Sequence, residues 1–189
     1  ADLIAIVGTI EPHVHAGFGG GYKNILPGVA GVETIGRNHA ICAHPKYYSL
    51  IGTRPEGNPM RLDIEEAGAM LPGSKFLVNT VLGPDAEIAR LVAGCPVAAH
   101  REGVSAAADI YGVKIPAQAD VVITDSFPMD IDIRQAVKCV ANTLFAAKSG
   151  GIIIAVFRCE EGMGGVRAPE VKLQMSREAA RLLARILSL

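Results

Sequence analysis

Between His13 and His39 the chain reads HVHAGFGGGYKNILPGVAGVETIGRNH, which gathers three of its five histidines and Lys23 around two glycine-rich turns. An imidazole binds metals or moves protons near neutrality, and a neutral amine forms covalent links. Glycines let the main chain approach a flat or charged ligand, because no Cβ holds it away. His13 and His15 stand two apart, so in an extended segment both point the same way. Two familiar phosphate motifs fail here. A P-loop requires glycine where Tyr22 precedes Lys23, and a hydroxyl where Asn24 stands. The dinucleotide fingerprint counted from Gly17 and Gly19 ends on Tyr22. Residue types alone leave two readings open: a metal or cofactor site, or a glycine-rich surface loop with a solvated lysine.

The elements that must position these residues alternate between strand and helix. Leu3–Ile10, Lys75–Leu82, Asp120–Thr124 and Ile152–Phe157 are apolar runs of strand length. Helical spacing predicts helices over Met60–Met70, from an Asp85 cap through Ala93, over Val97–Tyr111 and over Ile133–Lys148, the last stopped by Gly150-Gly151. A further long helix is expected from Pro169, with Leu173, Ala180, Leu183 and Ile186 roughly on one face. Strands separated by helices predict an α/β fold with mostly parallel sheets and flanking helices, in two lobes. The VKIPAQA segment at Val113–Ala119 is the expected hinge or boundary.

Composition narrows the function classes. With 189 residues, half of them apolar, the chain has the length to bury a core. A net charge of −1 gives no basic face for nucleic acid. No apolar run approaches the roughly 20 residues of a membrane span, and the first residues do not read as a signal peptide. Cys42, Cys95, Cys139 and Cys159 form no C-x-x-C pair, which suits reduced thiols packed as small apolar groups and a cytoplasmic location.

Taken in order, several segments resemble the nickel-dependent lactate racemase family. They are PHVHAGFGGGYKNILPGVAG with Asn38-His39, GNP at Gly57–Pro59, KFLVNTVL, AAHREGV at Ala98–Val104, Gln135-x-x-Lys138, GGIIIAV and CEEGMGG at Cys159–Gly165. The pieces are short, and their order and spacing together carry the likeness. The resemblance implies a 2-hydroxy-acid racemase or epimerase working on a nickel-pincer nucleotide, a pyridinium mononucleotide whose sulfur-bearing arms and ring carbon hold nickel. By position Lys23 would be the covalent tether, His39 the nickel ligand and His13 an acid/base at the substrate hydroxyl. Gln135 would lie near the cofactor and Lys138 near the substrate carboxylate, with Gly19, Gly20 and Gly21 against the cofactor plane. Three pincer donors and one imidazole complete the square-planar site that Ni(II) favours. The implied partners are a small 2-hydroxy acid and cofactor-maturation enzymes, so material made without those enzymes is expected to lack the group.

The resemblance also divides the chain, with residues 1–116 the end of a cofactor-binding N-terminal domain and 117–189 part of a C-terminal α/β domain. It puts a second acid/base and the phosphate-holding residues upstream of Ala1, so the 189 residues alone are expected to be inactive. Other readings stay beside it. Asp132 with Gln135 three residues on resembles a capping box, which explains Gln135 without a ligand, and Lys138 on the same stripe is then merely solvated. A scaffold that kept metal or nucleotide binding without turnover is the main alternative, and a pyridoxal phosphate Schiff base on Lys23 is another. His44 reads as structural or surface, and His100 and Arg101 receive no role.

Overall fold

The computed structural model describes residues 2–47 and 49–163, so the helix expected from Pro169 lies outside the described residues. Strand β1 (Leu3–Thr9) pairs in parallel with β4 (Ser74–Leu82), and β5 (Ile88–Gly94) runs antiparallel along the other edge of β4. The two-residue period sorts this sheet into faces. Ile6, Leu77, Val81 and Val92 are at most 3% exposed, whereas Leu3, Val7, Phe76 and Leu91 on the opposite face are 45–66% exposed. Helix α3 (Pro96–Tyr111) covers the inner face with Ala99, His100, Gly103, Val104 and Ala107, a repeat of four that keeps one side of the helix inward. A Cβ on Gly103 would lie 2.3 Å from the Ile10 Cδ1, so glycine lets α3 settle against the residue that follows β1 without displacing that side chain.

Helix α2 (Pro59–Met70) closes the core from the other side. Asn58 caps it, its side-chain oxygen accepting from the Arg61 N–H at 2.9 Å, and Pro59 occupies the first turn, where its missing N–H costs nothing. Its buried residues are Met60, Arg61, Ile64 and Gly68, and the ring of Tyr22 packs directly on Gly68. Between β1 and α2 lie the hairpin of β2 (Pro12–His13) with β3 (Gly17–Phe18) and the helix α1 (Val32–Ala40). The expected elements omitted α1, whose sequence VETIGRNHA carries too few apolar residues to show a stripe.

The second lobe is a parallel pair, β6 (Ala119–Asp125) with β7 (Ala147–Val156), joined through α4 (Ile133–Ala136) and α5 (Lys138–Thr143), which packs on both strands. The exposed run 112–118 connects α3 to β6.

Two expected elements are corrected. The helix predicted from Asp85 to Ala93 is a turn followed by strand β5: Gly83 N–H bonds to the Glu87 carbonyl at 2.9 Å, and Ile88–Gly94 satisfies its main chain on β4. The apolar spacing there fits either state, and the open edge of β4 decides it. The helix predicted over Ile133–Lys148 is two short helices and a final tight turn, and β7 begins at Ala147. Gly150 and Gly151 therefore sit inside a strand, where the register slips between Ala119 and Val121. A Cβ on Gly151 would approach the Lys148 and Asp120 carbonyls to 2.9 and 3.1 Å, so the pair marks a bulge rather than a helix stop. The thiols also divide: Cys42 and Cys139 are buried as expected, but Cys95 is exposed and Cys159 half-buried.

Candidate functional site

The glycine-rich segment is held by hydrogen bonds from side chains distant in sequence. Gly19 N–H bonds to the Glu11 carbonyl at 2.7 Å, and Gly21 N–H to Asn79 Oδ1 at 2.8 Å. The loop carbonyls turn inward: Arg61 donates to those of Phe18, Gly19 and Gly20, and His100 Nε2 donates to Gly19 at 2.9 Å. Gly20 and Gly21 adopt φ of +68° and +61°, a region closed to most side chains. A Cβ on Gly20 would strike Ile10 at 2.6 Å, and one on Gly21 would strike the His100 ring at 2.8 Å. Protein atoms thus fill the space beside Gly20 and Gly21, while a Cβ on Gly19 would meet only ordinary contact at 3.4 Å. This fixed loop leads into the 3-10 turn Gly21–Asn24, on which Lys23 stands half-buried.

His13 and His39 carry their ring protons on opposite nitrogens. His13 Nδ1 accepts from the N–H groups of His15 and Ala16 at 3.2 and 3.1 Å, so the neutral ring bears its proton on Nε2 and caps the hairpin turn. Its pKa is lowered to about 3, first by burial and then by Lys23, Lys138, His15 and Arg61. His39 lies exposed on α1, where Nδ1 donates to the Ile35 carbonyl at 2.9 Å and leaves the Nε2 lone pair free. That is the arrangement by which metal-binding histidines are oriented. His15 approaches His13 edge-on at 6.2 Å, and His44 is exposed, as expected, with its Nδ1 accepting from Lys46 N–H.

A cleft of about 230 Å³ separates this hairpin from the second lobe, lined by Glu11, His13, Asp125, Phe127, Lys138 and Asn142 among others. The second wall is positioned by Asp132, whose carboxylate caps α4 by accepting from Gln135 N–H at 2.8 Å. The Gln135 side chain accepts from Lys138 Nζ, which holds the ammonium beside the cleft. Burial lowers the Lys138 pKa, opposed by Glu11 and Asp132. For Lys23 burial, Arg61 and Lys138 together bring the value to about 8, against the pull of Glu11. The site therefore offers a neutral imidazole, one amine partly neutral near pH 8 and a second cation. Such groups suit an anionic substrate and covalent attachment.

Of the residues expected from the sequence, His13 and Lys138 line the cleft, Gln135 holds Lys138, Lys23 lies within reach of their charges, and His39 is exposed on α1. Sequence reasoning missed Arg61, Asn79 and Glu11. Their signals were an arginine on the buried stripe of α2 and an asparagine inside an apolar strand. His100 and Arg101 now have places. His100 bonds to the loop, and Arg101 forms a fork on Glu65 at 2.6 and 2.8 Å and also pairs with Glu56. Among the described residues no three His, Cys, Asp or Glu side chains converge on a metal position, and no helix is long and apolar enough to cross a membrane.

Residues 1–49 match the lactate racemase N-terminal domain and residues 114–188 the lactate racemase C-terminal domain. The chain is 38% identical over 167 residues to the lactate racemase of Thermoanaerobacterium thermosaccharolyticum and 35% identical over 173 residues to that of Lactiplantibacillus plantarum. Each alignment covers 87% of this chain but 38% and 39% of the relative, so the chain spans about two-fifths of their length. The solved lactate racemase apoprotein from T. thermosaccharolyticum superposes with a TM-score of 0.78 at 37% identity, over 87% of this chain and 39% of that one. A Thermotoga maritima protein shares the fold alone, with a TM-score of 0.65 at 24% identity, over 80% of this chain and 39% of that chain. The chain belongs to the lactate racemase family.

Proposed function

We propose that the full-length protein carrying this sequence interconverts the enantiomers or epimers of a small 2-hydroxy acid, with a nickel-pincer nucleotide held covalently on Lys23. The observation that supports this most directly is the pairing of His13 and Lys138 across one cleft, next to a loop that buried donors fix and that leads into the turn bearing Lys23. The residues fit such a group. Lys23 has an amine that is partly neutral near pH 8, as a nucleophilic tether requires. His39 presents a free Nε2. Among the described residues no three side chains form a metal site, which is compatible with a metal that arrives with ligands on a bound group. When bound, the cofactor supplies an acceptor for the C2 hydride of the substrate.

The chain's own residues perform the remaining tasks in this reading. Lys138, steadied by Gln135, holds the substrate carboxylate as a point charge. His13 meets the C2 oxygen. With Nδ1 committed to the turn, its Nε2–H donates a hydrogen bond there. Taking the hydroxyl proton requires the ring to turn over and release that cap. Residues 1–116 contribute the tether and imidazoles, and 117–189 the carboxylate-binding wall; the cytoplasm, where maturation enzymes would meet the chain, is the proposed location.

The test is isotopic. The loaded full-length enzyme turning over C2-deuterated lactate in ordinary water is expected to retain deuterium in the opposite enantiomer. Washout of deuterium at the rate of racemisation would instead show proton abstraction at C2 and overturn the hydride reading.

A further inference from the structure

Arg61 is fully buried, yet it makes no ion pair among the described residues, and its Nε has no hydrogen-bond partner. The acid that acts on it, Glu65, gives both oxygens to Arg101. Burying a cation without a carboxylate in contact is costly, and a neutral amide donor would satisfy carbonyls at lower cost. What Arg61 does contact is specific: the carbonyls of Phe18, Gly19 and Gly20, three consecutive residues that lead directly into the turn bearing Lys23. Only a fork of several fixed donors gathers three adjacent carbonyls from one side chain. The same charge acts on both Lys23 and His13.

We propose that Arg61 is a positioning residue for Lys23: its guanidinium gathers the loop carbonyls so that the turn bearing the lysine is fixed, and it sets a buried positive charge behind that turn. This rests on the reading of Lys23 as the covalent tether. An amine reacts through its lone pair, so a nearby buried cation raises the reactive fraction. The carbonyl fork explains why the charge is a guanidinium rather than an ammonium, and His100 shares the load at Gly19. The direction of the Lys23 shift, with Arg61 as its largest cause after burial, agrees.

The test uses the full-length protein produced without the cofactor-maturation enzymes. Competitive acetylation across pH 6 to 10, read by peptide mass spectrometry with exposed Lys46 and Lys114 as internal references, gives the reactivity profile of Lys23. Arg61→Met is expected to displace the Lys23 profile to higher pH and to lower its reactivity at pH 8 by about fivefold, the fall in the neutral fraction when a pKa near 8 rises by one unit. Arg61→Lys, which restores the charge without the fork, is expected to return the profile towards wild type while amide exchange at Gly19 and Gly21 accelerates. An unchanged Lys23 profile in folded Arg61→Met overturns the proposal. If Arg61→Met does not fold, unchanged loop exchange in Arg61→Lys overturns it equally. Failure to load nickel on Lys23 would count against the tether reading and leave these profiles as they are, so the two failures are separable.

Discussion

The two walls of the cleft are built by opposite means. The hairpin and glycine loop are fixed by buried donors from three distant elements, Arg61 on α2, Asn79 on β4 and His100 on α3, each at most 1% exposed. The facing wall depends on local contacts: Asp132 caps a helix of four residues, and Gln135 holds Lys138, both half-buried. A long-range buried network resists motion because every shift leaves a polar group unpaired. A short capped helix yields at the cost of one hydrogen bond. The first arrangement suits an attached group that must stay in register, and the second suits a wall that follows substrate entering and leaving.

Glycine substitutions should separate the walls most sharply. Gly20→Ala combines a positive φ with a Cβ forced onto Ile10, and is expected to cost about 2–4 kcal/mol. Gly21→Ala, which strikes the His100 ring, should cost about as much, both read from urea midpoints. Asn79→Leu should follow at about 1–3 kcal/mol, since it leaves the Gly21 N–H buried and unpaired. On the facing wall Asp132→Ala loses one cap and should cost only about 1 kcal/mol. If Asp132→Ala proved as damaging as Gly20→Ala, the contrast between the walls would collapse.

Acid provides a subtler probe of the first wall. Burial, followed by the charge of Arg61, lowers the His100 pKa to about 3, from an ordinary value of 6.5. Between these values the unfolded chain binds a proton that the folded chain refuses, so stability rises with pH across that window and falls on acidification below about 6.5. The slope from His100 is about 1.4 kcal/mol per pH unit, and His13 adds in the same direction. His100→Gln keeps a donor for the Gly19 carbonyl and removes the titration, so its urea midpoint should fall less steeply with acid. A slope as steep as wild type would mean that His100 is already protonated in the fold.

The sequence showed the rigid wall less well than its chemistry suggests. Strand β4 and helices α2 and α3 were legible because burial imposes a period on them, and β1 and β6 because they are apolar runs of strand length. The site's imidazoles and amines were legible from residue type. The clamp was not, because Arg61, Asn79 and His100 reach the loop across 41, 58 and 81 residues of chain. No local pattern encodes such a contact. Strand β5 was misread because its neighbour β4, not its own spacing, settles its state. The opposite tautomers of His13 and His39 were equally hidden, since each is fixed by main-chain groups that only the fold brings to the ring.

The role proposed for the rigid wall is to hold a covalently attached group on Lys23. Peptide mass spectrometry of the full-length protein, produced with the cofactor-maturation enzymes, tests it directly, with nickel quantified on the same sample. An added mass on the Lys23 peptide that Lys23→Ala abolishes is expected, with one nickel per chain that His39→Ala reduces without removing the adduct. Unmodified Lys23 in nickel-loaded, racemising protein would contradict it.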